Sequence, residues 1–123
     1  MAKSRKDLVR EYKERPKPAG VFEIKNTKTG HFLLASSLNI EGSLNKHKFM
    51  LKTGGHSNKA LQADYKVFGA DFYTFEILEE IITVDKSRLE VEEELSLAEQ
   101  IWIDELKPSE ENSFNEKKKI REA

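Results

Sequence analysis

Hydrophobic positions along the chain switch between two periods, and each switch marks an element. Ser4 and Asp7 have capping-box spacing, and Leu8 and Tyr12 lie four apart on one helical face. This helix must stop near Arg15, because "RPKPAG" bars its continuation. About three turns do not stand alone, so the segment either packs on the domain or frays. Gly20 to Asn26 then reads as a strand, "NTKTG" as a turn in which Gly30 takes positive φ, and Phe32 to Ala35 as the return strand. Ser36, Ser37 and Asn39 offer N-caps for a helix whose Ile40, Leu44, His47 and Leu51 share one face, and "TGG" ends it.

A second helix occupies "HSNKALQADYKVFG", capped by Ser57 and closed by Gly69, with Leu61, Tyr65 and Phe68 as its apolar face. "DFYTFEILEEI" is a third strand, with Tyr73, Phe75 and Ile77 alternating against Thr74 and Glu76. A long helix runs from Ser87 to Leu106, with Val91, Leu95, Ala98 and Trp102 facing one way and Pro108 stopping it. "NSFN" offers one short strand before a charged tail. The order describes an α+β domain: a small, mainly antiparallel three-stranded sheet with helices packed against it. Val21, Ile24, Leu44, Leu61, Phe75, Ile77 and Trp102 are expected in one core.

Composition narrows the class. The 123 residues suit one compact domain. The absence of cysteine excludes disulfides and thiolate zinc sites. No apolar run approaches the ~20 residues of a membrane span, and the N-terminus lacks a secretory apolar region. A soluble, cytoplasmic protein with no membrane partner is expected. The net charge of −1 is unevenly spread: +4 over residues 1–18, zero over 19–82, −7 over 83–115 and +2 over 116–123. The chain divides accordingly into a basic N-terminal helix and linker (1–18), a domain (19–115) and a charged tail (116–123).

Basic ends either grip phosphates or stand as solvated termini. Lys46, Lys48, Lys52 and Lys59 cluster around the first domain helix, and with His47 they form either a DNA-facing surface or an ordinary solvated face. His47 itself is either a base or a hydrogen-bonded structural histidine. His56 belongs to the turn before the next helix, and His31 flanks the turn glycine. No histidine pair has a metal-ligand spacing such as i, i+4. Trp102 fits the core better than a stacking platform.

The blocks "GVFEIKNTKTG", "LLASSLNIEGSLNKH", "HSNKALQADYKVFGADFYTFEILEE", "AEQIWIDEL" and "SFN" resemble, in order and spacing, the GIY-YIG nuclease family from Gly20 to Asn115. The resemblance implies a GIY-YIG-like fold. It places the first motif tyrosine on Phe22, the second on Leu33 and its glycine on Ala35. The family arginine falls on Ser43, the glutamate on Glu99 and the late asparagine on Asn115. In that family the tyrosines serve nucleophile activation, the arginine holds the scissile phosphate and the glutamate binds a divalent metal.

Phe22 and Leu33 have no hydroxyl, and Ser43 cannot offer a bidentate fork. The resemblance therefore implies an endonuclease-like pseudoenzyme: a degenerate binding module for DNA that requires no cofactor, with Mg²⁺ possible only at Glu99. Glu99 is either that ligand or one acid among ten at a core edge, and Asn115 either a site residue or the fixer of a turn. Two alternatives stand beside this reading. One is a metal-dependent endonuclease with a rearranged centre. The other is a protein-interaction module whose partner the sequence does not name.

Overall fold

The computed structural model describes residues 4–6 and 17–115. Arg5 and Lys6 are helical, and the rest of the expected N-terminal helix and the tail lie outside the described residues. The elements are β1 (Ala19–Asn26), β2 (Phe32–Ser37), α1 (Ile40–Thr53), α2 (Lys59–Phe68), β3 (Tyr73–Ile81) and α3 (Arg88–Leu106), with one 3₁₀ turn at Ala70–Phe72. The three strands form one antiparallel sheet in the order β2-β1-β3. The expected α+β architecture is thus present. No helix among the described residues is long and apolar enough to cross a membrane.

Local chemistry sets the element ends. Gly30 takes φ 82° in the hairpin and Gly54 takes φ 88° at the end of α1, conformations that glycine adopts without a Cβ penalty. Asn39 caps α1 by accepting the Gly42 N–H at 3.1 Å. The cap of α2 is Asn58, not Ser57: Asn58 Oδ1 accepts the Leu61 N–H at 3.0 Å, and its Nδ2 donates to the Phe114 carbonyl at 2.7 Å. A carboxamide can both cap the helix and tie down the C-terminal segment, which a serine hydroxyl cannot reach to do. Ser87 caps α3, accepting from Glu90 N–H at 3.1 Å.

The core is two clusters rather than one, because β1 is buried on both faces. Ala19, Val21, Phe32, Leu34 and Ile81 meet Val91, Leu95, Ala98 and Ile103 of α3. On the other face Phe22, Ile24, Leu33, Ala35, Tyr73 and Phe75 meet Ile40, Leu44 and Leu51 of α1 and Leu61 of α2. Val21, Ile24, Leu44 and Leu61 are buried as expected.

Ile77 is not, at 42% exposed. Val21 pairs with Glu79 but Phe22 pairs with Ile77, so Leu78 is an extra residue on β3, a β-bulge. Ile77 itself keeps the face of Tyr73 and Phe75, at the edge of the sheet; the bulge shifts the alternation beyond it, so that Ile81, paired with Ala19, joins Leu78 on the α3 face. Gly20 faces this irregularity. A Cβ there would lie 2.3 Å from the Glu79 carbonyl oxygen and 2.7 Å from Ile40 Cδ1, so no larger residue fits without displacing backbone. Phe75 is half-buried under Lys48, whose Nζ lies 5.3 Å from its ring centroid. Trp102 is also half-buried: its indole N–H donates to Glu79 Oε1 at 2.9 Å, which holds the ring at the rim of the α3 cluster.

"NSFN" makes one parallel bridge, Ser113 with Phe32, instead of a strand. Phe114 N–H donates to the Phe32 carbonyl at 2.8 Å, and Phe32 N–H to the Asn112 carbonyl at 3.2 Å. The segment covers the outer edge of β2, which otherwise presents unpaired backbone groups.

Candidate functional site

Phe22 is wholly buried on β1, facing α1. Its ring lies 5.4 Å from that of His47, tilted by 59°. Ala35 is its cross-strand partner and Leu33 the partner of Ile24, so these motif positions share the α1 face of the sheet. Leu33 and Ser43 are half-buried.

His47 does not stand alone. Its Nδ1 lies 2.7 Å from His56 Nε2, although the two residues are nine apart. The turn at Gly54 folds the chain back so that His56 meets the preceding helical turns. The proton positions follow from the outer partner. Asn58 N–H donates to His56 Nδ1 at 3.0 Å, so that nitrogen carries no proton. In the neutral ring the proton is on Nε2, which donates to His47 Nδ1 and leaves the His47 proton on Nε2. Burial, then the His56 and Lys46 charges, lower the His47 pKa to about 4. Burial lowers that of His56 as well. Both rings are neutral at pH 7, and the only basic nitrogen of His47 already accepts a hydrogen bond.

Glu99 approaches β2 from the other side. Ser36 donates its hydroxyl to Glu99 Oε2, and Ser36 follows Ala35, so its side chain points to the α3 face. Glu99 lines an open groove of about 290 Å³ with Ser36, Leu38, Glu92, Leu95 and Ser96. Among the described residues no group of three or more His, Asp or Glu converges as a metal site. Asn115 is buried and holds the edge strand: its Oδ1 accepts the Leu34 N–H at 3.0 Å and its Nδ2 donates to the Leu34 carbonyl at 2.7 Å. One carboxamide thus replaces a missing strand partner.

Lys46, Lys48, Lys52 and Lys59 are all exposed on α1 and at the start of α2. The structure therefore brings Phe22, Leu33, Ala35 and His47 together and places the lysines on the same side of the sheet. Glu99 reaches β2 from the opposite face. The His47–His56 pair has no legible spacing in the sequence; the Gly-rich turn before a second histidine is its one available signal.

An antiparallel three-stranded sheet with its β1–β2 hairpin under one helix and a second, acidic helix on the far face defines an α+β class. No family model matches the chain, and no curated protein matches it. Solved structures do. The catalytic domain of the homing endonuclease I-TevI is 29% identical over 79% of this chain and 96% of that one, with a TM-score of 0.62. A glutamate-to-alanine variant of the same domain, from what is there called an intron endonuclease, is 28% identical over 80% and 92%, also at 0.62. The fold matches that domain, a GIY-YIG nuclease, and the likeness supports the same superfamily for this chain.

Proposed function

We propose that this chain is a GIY-YIG-type domain that has lost phosphodiester hydrolysis and acts as a binding module for DNA. Phe22 carries the reading. It stands where the first motif tyrosine falls, wholly buried against His47, with no hydroxyl to take part in activating water. Leu33 offers none either. The basic nitrogen of His47 is occupied by His56. Ser43 supplies no guanidinium for a phosphate. General acid–base help is worth about 10²–10⁴ in rate, and a positioned charge donor on the order of 10²–10³. These losses do not multiply, because such groups act as a unit. Losing both still leaves little hydrolysis.

Binding is favoured by the separation of charge. The lysines project from the α1 side, whereas the acidic α3 packs on the opposite face of the sheet. A phosphate backbone on the lysine side lies with the sheet between it and most of the negative charge, and exposed charges beyond about 8–10 Å are screened at physiological salt.

One observation favours a metal-dependent endonuclease instead, namely the groove at Glu99. Mg²⁺ is commonly held by one or two carboxylates, with waters and substrate phosphates completing its shell. Glu99 with Glu92 fits that donor set, and a bound ion would supply charge neutralisation at a phosphate oxygen.

Anisotropy titrations of labelled DNA across a salt series test the binding reading. Duplexes of unrelated sequence should bind alike. Lys46→Glu with Lys48→Glu should weaken all of them and reduce the salt slope by about 0.9 for each phosphate no longer neutralised. No complex at low salt with duplex, single-stranded or branched DNA would reject the reading and leave protein interaction in its place.

A further inference from the structure

Away from these residues, the hairpin turn, α2 and the segment after α3 border a second groove of about 400 Å³. Thr29, His31, Ala63, Asp64, Phe68 and Phe114 form most of its wall. The wall is largely apolar and carries one acid. Asp64 is held in place from behind: the Tyr73 hydroxyl and Asn26 Nδ2 (2.7 Å) both donate to its Oδ2. Asn26 cannot turn its amide around, because its Oδ1 accepts the N–H groups of Lys28 at 2.9 Å and Thr29 at 3.2 Å. Burial and the bond to Asp64 push the Tyr73 pKa up, so its hydroxyl stays a donor. With both donors on Oδ2, no donor among the described residues reaches Oδ1. Lys28, on the adjoining turn, directs its ammonium over Phe72 at 5.7 Å from the ring centroid.

We propose that this groove receives an arginine side chain of a partner protein, whose guanidinium donates to Asp64 Oδ1 while its plane rests on the Phe68 and Phe114 rings. Charge complementarity selects a cation, and the apolar wall selects a weakly hydrated, planar one. An ammonium is more strongly hydrated and loses more on entering such a groove. A hard metal ion would need several oxygen ligands, and here one carboxylate oxygen is open. His31, its ring 5.6 Å from that of Phe114 and tilted by 42° to it, adds a third ring to the wall. The inference is independent of the DNA reading, since it uses none of the lysines.

The test titrates the full chain with acetyl-Gly-Arg-Gly-amide, and with its lysine and citrulline counterparts, by heteronuclear NMR. The arginine peptide should give saturable shifts confined to Ala60, Ala63, Val67 and their neighbours. Lysine should bind several-fold more weakly and citrulline, which is planar but neutral, not measurably. Asp64→Asn keeps an acceptor for Tyr73 and should weaken binding roughly tenfold. Ala63→Leu fills the groove from an exposed helical position without touching the Asp64 hydrogen bonds, and should block binding. Shifts that never saturate, shifts centred on the acidic α3, or an undiminished response in Ala63→Leu would overturn the proposal.

Discussion

The two faces of the sheet use the same strand for different ends. Under α1 and α2, β1 contributes Phe22 and Ile24, next to a neutral histidine pair and a row of exposed lysines. Under α3 it contributes Ala19 and Val21, beneath a helix rich in carboxylates, with Glu99 bound to Ser36. The first face has apolar side chains where the family resemblance expects catalytic ones. The second presents Glu99, where the resemblance places a glutamate, and among the described residues no tyrosine packs in its cluster.

Emptying one face should unfold the other with it. Phe22→Ala should cost about 3–5 kcal/mol and Leu95→Ala about 2–5 kcal/mol. Since β1 is common to both clusters, each variant should unfold in one transition. Two separate transitions by fluorescence and far-ultraviolet dichroism would show that the faces fold independently.

A smaller loss is expected at the sheet edge. Asn115→Ala leaves the buried N–H and carbonyl of Leu34 without their partners and should cost about 2–4 kcal/mol in urea unfolding. A near-neutral effect would mean that the C-terminal segment does not hold β2.

Acid should act on the α1 face selectively. His47 titrates at about 4 in the fold against 6.5 as a free side chain, so the unfolded chain binds more protons between those values. The histidine contribution is therefore complete above about pH 6.5 and is lost as pH falls towards 4. His56 shifts in the same direction. His47→Phe should flatten this part of the urea-midpoint profile, whereas an unchanged profile would place the acid sensitivity elsewhere. The least effect belongs to the far surface: Glu93→Lys on exposed α3 should leave DNA affinity unchanged or raise it slightly, and a marked loss would put α3 on the DNA.

Much of the fold is legible in the sequence because local signals agree. Gly30, Gly54 and Pro108 end elements where turn chemistry requires it, and the faces of α1 and α3 follow from helical periodicity. Ile77 departs from expectation because alternation assigns a face and not its cover: it pairs with Phe22 and shares the face of Tyr73 and Phe75, but it sits on the edge strand β3 and stays 42% exposed. The single expected core becomes two because short apolar runs do not say how many faces of a strand are covered. The resemblance assigns Phe22, Leu33 and Ser43 by motif order alone, and the fold then shows which face of the sheet Phe22 and Leu33 occupy. The His47–His56 bond cannot be located by motif order, since it depends on how tightly the chain reverses after α1. The grip of Asn115 on Leu34, 81 residues away, is likewise a tertiary contact with no local trace.

The central claim is that the domain holds DNA without cutting it. Supercoiled plasmid incubated with the full chain, with and without Mg²⁺ or Mn²⁺, tests it by measuring retardation and nicking in the same samples. A domain that binds without cutting gives a salt-sensitive retarded complex and no metal-dependent nicking above background. Sustained nicking that Glu99→Ala abolishes would contradict it and establish a working nuclease.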